Sequence, residues 1–292
     1  RDGDGMVRQN RACPRLWQGS RDNSKATWDE LGAYWTEQSP AADGTLTPIH
    51  PLDELDETVT DAQVTYLRAL IQAGEQTVID SVRAWNKAPA LMAGLENIQV
   101  IHLIRPPKDW VSAHLLPSGQ GTWRKSLADK YRRRSFFSRR GFYNNWQYEE
   151  IIDAALATRH SMWRAVQPAP EALATQPAYI KLLAFWWAAN HKLRQSLAPW
   201  RSGATHTLTL PDFTASPGKT MASLYQAANW SPDHAPLDYD HVRSTRPAWQ
   251  SQSAQWTDAA DYLGIPRDLM TNEAPSAVDL ERAFDRTLQN VD

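Results

Sequence analysis

An arginine followed by two prolines ends the clearest strand-like stretch of the chain, and this combination could bind an anion. Residues 98–104 read Ile-Gln-Val-Ile-His-Leu-Ile, and Arg105 follows directly. In an open parallel sheet, ligands bind at the carboxyl ends of the strands. A guanidinium there, followed by a helix start with its backbone N–H groups and by Ser112, is suited to phosphate. The alternative is that Arg105 caps the sheet and pairs with an acid.

The residues around Arg105 resemble the 3′-phosphate motif of PAPS-dependent sulfotransferases, a strand followed by Arg-x-Pro-x-Asp-x-x-x-Ser. PAPS is 3′-phosphoadenosine 5′-phosphosulfate, the sulfuryl donor, and PAP is the bisphosphate that it leaves behind. Arg105, Pro107 and Asp109 match the motif in register, while Ser112 comes one residue early. The resemblance implies a P-loop α/β fold, with PAPS as the cofactor, and implies that Arg105 and Ser112 bind its 3′-phosphate.

Segments on both sides of this motif follow the order of the family. Residues 86–89, Asn-Lys-Ala-Pro, are similar to the family's Asp-Lys-Thr-Pro. Residues 183–193 are similar to its helix with Trp and Asn four residues apart, here Trp186 and Asn190. By this resemblance, Lys87 would stabilise negative charge near the transferred sulfuryl group.

A basic loop late in the chain falls where the family's loop reaches the 3′-phosphate. Residues 241–256 contain the run Arg-Ser-Thr-Arg. The resemblance implies that Arg243, Ser244 and Arg246 bind the same phosphate as the strand-end arginine. Two guanidinium forks and a hydroxyl on one short loop are suited to that task.

The family's loop for the 5′-phosphosulfate, Pro-Lys/Arg-Ser-Gly-Thr-Thr, does not precede the Arg105 motif. Successive backbone N–H groups of such a loop cradle an anion. We expect this loop to lie upstream of Arg1. The opening residues Arg-Asp-Gly-Asp-Gly then resemble a Gly-Glu-x segment of the family whose acid is the general base, and Asp4 would be that base. The alternative is that Asp4 is a frayed terminal residue.

Residues 117–146 combine positive charge with aromatic rings. Between 123 and 143 there are eight Lys or Arg residues against one Asp. We predict a basic and aromatic flap over the acceptor site, where rings stack on a sugar or aryl group and arginines attract an anionic acceptor. Two alternatives are a solvated arginine-rich helix face and a clamp held by the five acids of 53–61.

The elements that must position these residues alternate between strand and helix. Apolar β-prone runs predict strands at 77–82, 98–104 and 206–210, and the nearly continuous apolar character of the second predicts a parallel strand covered on both faces. Asp61 is expected to cap a helix. Helical periodicity dominates the second half. The pattern predicts an α/β fold with a parallel sheet and a helix-rich C-terminal half, in a single domain over 1–292. The resemblance to sulfotransferases implies that this is a three-layer P-loop-type sheet.

Composition excludes several classes of protein. The 292 residues are 42% hydrophobic and carry a net charge of −2, which disfavours a disordered chain and a nucleic-acid-binding protein. The apolar runs are much shorter than the ~20 residues that span a bilayer, so we expect no membrane partner. The single cysteine, Cys13, favours a cytoplasmic protein. The eight histidines lack zinc-binding spacing, so no metal is expected.

These observations predict a cytoplasmic sulfotransferase that moves a sulfuryl group from PAPS to a hydroxyl or amine of a small-molecule or carbohydrate acceptor. One alternative is a non-catalytic relative that binds the nucleotide or acts as a scaffold. A second is a P-loop kinase, because 218–220 read Gly-Lys-Thr after a predicted strand. That motif requires a glycine where this chain has Phe213.

Overall fold

The computed structural model describes residues 6–9, 54–72, 77–80, 85–114, 146–200, 203–229 and 253–288. The fold is mixed α/β and rich in helix. Contacts divide the chain into two compact units, 1–98 and 99–292. This division concerns compactness only, so the single domain over 1–292 stays a prediction. Within the described residues, no helix is both long and apolar enough to cross a bilayer.

The first unit contains an antiparallel strand pair and two helices. Its elements are β1 (Met6–Gln9), α1 (Asp61–Gln72), β2 (Thr77–Asp80) and α2 (Ala88–Gly94), with a 3-10 helix at Trp85–Lys87. The strand predicted at 77–82 is confirmed for 77–80.

Helix α1 begins at Asp61, and its cap is Thr60, one residue before the predicted cap. Gln63 donates its backbone N–H to the Thr60 hydroxyl at 3.2 Å, and the Gln63 side chain accepts from the Thr60 N–H at 3.0 Å. This reciprocal arrangement is a capping box. The prediction that Asp61 caps the helix is therefore wrong, and Asp61 is instead the acidic residue of the first turn, where the helix dipole favours it.

The second unit contains a parallel strand pair and a larger set of helices. Its elements are β3 (Val100–Ile104), α3 (Pro107–His114), α4 (Trp146–Ala157), α5 (Pro170–Ala174), α6 (Ala178–Ser196), β4 (Thr205–Thr209), α7 (Leu210–Ala215), α8 (Pro217–Ala227), α9 (Ser253–Leu263), α10 (Asp268–Thr271) and α11 (Ala277–Leu288), with 3-10 helices at Ser161–Ala165 and Ala198–Trp200. The helices predicted over 178–197 and 277–288 agree with α6 and α11 to within one residue.

Strands β3 and β4 pair in parallel, with Val100 opposite Thr205 and Ile104 opposite Thr209. The predicted coverage of β3 on both faces is wrong, because Ile101 is 49% exposed and Leu103 is 58% exposed. Alternate residues of a strand point to opposite faces, so the polar residue at 102 shares the covered face with Ile104. Apolar character alone did not reveal which face the core covers.

The core of the second unit is built around α6, which is apolar on nearly every side, as expected for a buried helix. Trp187 is fully buried, its indole N–H donates to the Ala165 carbonyl at 2.9 Å, and its ring lies 4.9 Å from that of Phe284 in α11. The other end of α6 is fastened to α11 by Arg194, whose guanidinium contacts Glu281 at 2.9 Å and Asp285 at 2.8 Å. These contacts join α6 to α11 and to the 3-10 helix over 161–165.

Helix α9 ends in a Schellman motif that favours glycine at its left-handed position. Gly264 has φ +74°, its N–H donates to Asp261, and the Ile265 N–H donates to Ala260. A Cβ at this position would lie 2.6 Å from Cγ of Gln167. A left-handed conformation with a Cβ is strained, and the neighbouring side chain would also have to move.

Gly264→Ala is therefore expected to lower the free energy of unfolding by about 1–2 kcal/mol. Gly94→Ala is the control, because its Cβ would meet Val64 at an ordinary 3.6 Å. The control should leave stability unchanged or raise it by up to about 1 kcal/mol, because alanine restricts the unfolded chain more than glycine does. Urea denaturation of both variants measures this, and equal stabilities would contradict the assigned strain at 264.

Candidate functional site

Arg105 follows β3 at its carboxyl end, as the sequence predicted. The strand ladder ends with Ile104, which is opposite Thr209 in β4, and helix α3 begins at Pro107. Arg105 therefore lies in the two-residue connection between a parallel strand and a helix. This is the edge of a parallel sheet at which ligands bind.

Within the described residues, the Nε atom of Arg105 lacks the partner that a sheet-capping role would give it. This atom is buried and has no hydrogen-bond partner there. Among the described residues, no carboxylate forms an ion pair with Arg105. Leaving a buried charged donor unsatisfied costs about 1–3 kcal/mol or more. Such groups call for an explanation, and a bound anion or water is among the usual ones.

Helix α6 is fastened to β3 and to the connection by a chain of side-chain hydrogen bonds. The Trp186 indole N–H donates to the Arg105 carbonyl at 3.0 Å. The Asn190 amide donates to the Trp186 carbonyl at 2.6 Å and lies 2.9 Å from Nε2 of His102. Trp186 and Asn190 are the two residues that the resemblance singled out, whereas the sequence analysis assigned no role to His102.

His102 is neutral near pH 7 because of where it lies. Burial, together with the nearby positive charge of Arg194, lowers its pKa to about 4, although the Asn190 hydrogen bond and the negative charge of Glu281 act in the other direction. Since Asn190 Oδ1 only accepts hydrogen bonds, Nε2 of His102 carries the proton. The neutral imidazole is thus a donor that helps to fix β3 against α6.

An aromatic cluster adjoins Arg105 on the side of α3. The rings of Trp110 and His114 lie 4.5 Å apart, His114 and Tyr148 lie 4.5 Å apart, and Tyr148 and Phe185 lie 5.9 Å apart. Burial lowers the pKa of His114 to about 4, and the charge of Arg105 contributes in the same direction. Arg105 therefore remains the positive group of this cluster at neutral pH.

The start of α3 supplies fewer donors than the sequence interpretation assumed. Pro106 and Pro107 carry no N–H, so the first amide donors of the helix belong to Lys108 and Asp109. Ser112 is 2% exposed, and its hydroxyl donates to the Lys108 carbonyl at 2.5 Å. Because that proton is engaged within the helix, the role of Ser112 as a phosphate ligand stays a prediction.

Lys87 belongs to the first unit, where its ammonium already has acceptors. Nζ contacts Oδ2 of Asp56 at 3.0 Å and the Thr58 carbonyl at 2.6 Å, and the side chain is 8% exposed. Although burial raises the pKa of Asp56, hydrogen bonds from Thr58 and Lys87 hold it below its usual value. The neighbouring Asn86 amide donates to the Leu55 carbonyl. This segment thus fastens α2 to 55–58, and the catalytic role of Lys87 stays a prediction.

The remaining predicted site residues lie outside the described residues. They are Asp4, Arg243, Ser244 and Arg246, together with the flap over 117–145. Trp146, the last residue of the predicted flap, is the first residue of α4. The roles of all of these stay predictions.

The Gly-Lys-Thr sequence at 218–220 does not form a phosphate loop. It lies in the first turn of α8, which begins at Pro217, and α7 already occupies the residues after β4. In a Walker A motif, the glycine-rich segment forms the loop between the strand and the helix. No group of three or more metal-ligating side chains occurs in the described part of the chain.

No protein-family model, curated protein or solved structure matches this chain. The relation to sulfotransferases therefore stays a prediction made from the residues. The geometry around Arg105 stands independently of it.

Proposed function

We propose that this protein binds the 3′-phosphate of PAPS at Arg105 and is a sulfotransferase acting on a hydroxyl or amine of a small-molecule or carbohydrate acceptor. The observation that carries this proposal is the buried, unpartnered Nε of Arg105 at the carboxyl end of β3. A phosphate would supply the missing acceptor. It would form charge-assisted hydrogen bonds, which are about twice as strong as neutral ones.

A nucleotide phosphate is favoured over other anions by what surrounds the arginine. The Arg-x-Pro-x-Asp spacing of 105–109 is that of the sulfotransferase motif. Trp110 and Tyr148 are half-buried aromatic residues of the adjoining cluster, and flat apolar rings of this kind stack on bases. Arg243 and Arg246 would close over the same phosphate. A three-layer P-loop-type sheet and a cytoplasmic location belong to the same proposal.

The reaction would be an in-line transfer of the sulfuryl group. The acceptor oxygen or nitrogen forms a bond to sulfur while the bond between sulfur and the 5′-phosphate oxygen breaks, and PAP leaves with that electron pair. Asp4 would take the proton of the acceptor. A positively charged side chain next to the transferred sulfuryl group lowers the barrier, as in phosphoryl transfer. Lys87 could supply it only after leaving Asp56.

The ion pair of Lys87 favours a second candidate, a nucleotide-binding protein without transferase activity. A buried ammonium with two acceptors is held in place and neutralised. In this candidate the Arg105 site binds the 3′-phosphate, but no sulfuryl group is transferred. The two candidates differ in turnover and not in binding.

The affinity of the protein for a nucleotide should depend on whether the nucleotide carries a 3′-phosphate. We expect PAP and 3′-AMP to bind, and 5′-AMP to bind at least about tenfold more weakly, because only the first two carry the group that Arg105 contacts. Isothermal titration calorimetry at fixed salt measures all three. Equal affinities for 3′-AMP and 5′-AMP, or no binding of PAP, would contradict the proposal. Release of PAP from PAPS in the presence of an acceptor panel then separates the transferase from the binding protein.

A further inference from the structure

The carbonyl of Arg105 is held by a side chain from another element. The ladder between β3 and β4 ends at Ile104, and helix α3 begins only at Pro107. The connection that carries the guanidinium therefore needs a donor from elsewhere. The Trp186 indole N–H supplies it at 3.0 Å.

The Trp186 side chain is itself fixed on several sides. It is 2% exposed, and its ring lies 6.2 Å from that of Phe284. The same turn of α6 is braced by Asn190, whose amide donates to the Trp186 carbonyl and accepts from His102 in β3. The indole N–H is thus a rigid anchor point for the residue after the strand.

We propose that Trp186 is a positioning residue for the anion site, because its indole N–H holds the Arg105 backbone in the conformation that presents the guanidinium to the phosphate. This inference rests on the proposed 3′-phosphate site. A group held in its binding geometry before the ligand arrives loses less freedom on binding, and that difference increases affinity. Trp186 does not touch the ligand in this account.

The chain offers a matched control one residue further along α6. Trp187 is also buried, and its indole N–H also donates to a backbone carbonyl, that of Ala165 at 2.9 Å. Ala165 ends the 3-10 helix over 161–165 and is remote in sequence from the Arg105 connection. Replacing either tryptophan by phenylalanine removes one indole N–H and leaves one carbonyl without its donor.

Trp186→Phe is expected to weaken PAP binding by roughly three- to tenfold, which corresponds to the net worth of one hydrogen bond. The affinity for 5′-AMP should stay unchanged, because this nucleotide lacks the 3′-phosphate. Trp187→Phe should leave the affinity for both nucleotides unchanged. In an Arg105→Ala background, Trp186→Phe should cause no further loss, since residues that act through each other are not additive.

The outcomes separate this inference from the proposed function. Wild-type protein that does not bind PAP, or Arg105→Ala that binds it normally, overturns the proposed site and the inference with it. Loss of PAP binding in Arg105→Ala but not in Trp186→Phe overturns the inference alone. Equal losses in the two tryptophan variants also overturn it, because the effect would then come from a loosened helix.

A measurement on the wild-type protein covers the case in which Trp186→Phe does not fold. The indole ¹H–¹⁵N resonances of Trp186 and Trp187 can be assigned through their own side chains and followed while PAP is added. We expect the Trp186 resonance to shift with the midpoint of PAP binding and the Trp187 resonance to stay in place. A Trp186 resonance that does not move while PAP binds overturns the inference.

Discussion

Replacing Arg105 by alanine is expected to weaken PAP binding by roughly 10- to 150-fold, because a hydrogen bond to a charged group is worth about 1.5–3 kcal/mol. Stability should not fall by a comparable amount. The variant removes a buried Nε that has no partner, so it breaks no hydrogen bond within the described residues. Loss of binding without a comparable loss of stability is the signature of a ligand-binding arginine. Calorimetric titration with PAP and thermal unfolding without ligand measure the two quantities.

Two control variants sharpen this experiment. Arg267→Ala removes one exposed positive charge of the same unit, which pairs with Asp261 at 2.9 Å, and should leave PAP affinity unchanged. Arg105→Lys keeps the charge but loses the planar fork, and should recover only part of the affinity. Normal PAP binding by Arg105→Ala would contradict the proposal that Arg105 binds the 3′-phosphate. A large loss of stability in that variant, with no PAP binding in the wild type, would make Arg105 a structural residue.

Acid is expected to destabilise the protein through His102. Burial lowers the pKa of this residue to about 4 in the folded state, whereas its ordinary value is 6.5. Between pH 6.5 and pH 4, His102 is mostly protonated in the unfolded chain and mostly neutral in the folded protein. Stability therefore falls as the pH drops from 6.5 towards 4, by about 3 kcal/mol for this residue. Below pH 4 the folded state also takes up the proton, and this contribution stops growing.

His102→Gln should remove the part of this pH dependence that comes from His102, since glutamine keeps a donor but does not titrate. Between pH 7 and pH 4, the free energy of unfolding should fall by about 3 kcal/mol less in the variant than in the wild type. Urea denaturation at each pH measures this difference. His114 remains in the variant and acts in the same window, because burial lowers its pKa to about 4 as well. The control is Thr207→Val, which changes the residue opposite His102 on β4 and should preserve the wild-type slope. If the free energy of unfolding fell as steeply with decreasing pH in His102→Gln as in the wild type, the burial assigned to His102 would be contradicted.

The sequence predicted the elements of the second unit better than their packing. Periodicity located α6 and α11 to within one residue, because a long apolar pattern with a period of 3.6 has few other solutions. The apolar run over 98–104, followed by an arginine and two prolines, placed Arg105 at a strand end. It did not show which face of β3 the core covers, since apolar residues alternate there with a histidine whose partner, Asn190, lies 88 residues away in the chain.

Partners distant in sequence account for most of what the sequence could not show at the site. The pairing of Lys87 with Asp56 joins residues 31 apart, and Trp186 reaches the Arg105 carbonyl across 81. The resemblance to sulfotransferases singled out Trp186 and Asn190 as a pair on one helix, but it did not show which groups they hydrogen-bond. The capping box at Thr60 is the exception, because its four-residue pattern is local and readable from the sequence.

The most direct test of the anion site is a crystal structure of the protein soaked with PAP. The predicted result is a nucleotide whose 3′-phosphate lies within hydrogen-bond distance of the Arg105 guanidinium, with Nε among its donors. Arg243 and Arg246 are expected on the other side of the same phosphate. A nucleotide bound elsewhere, or one that turns its 5′-phosphate towards Arg105, would contradict the account.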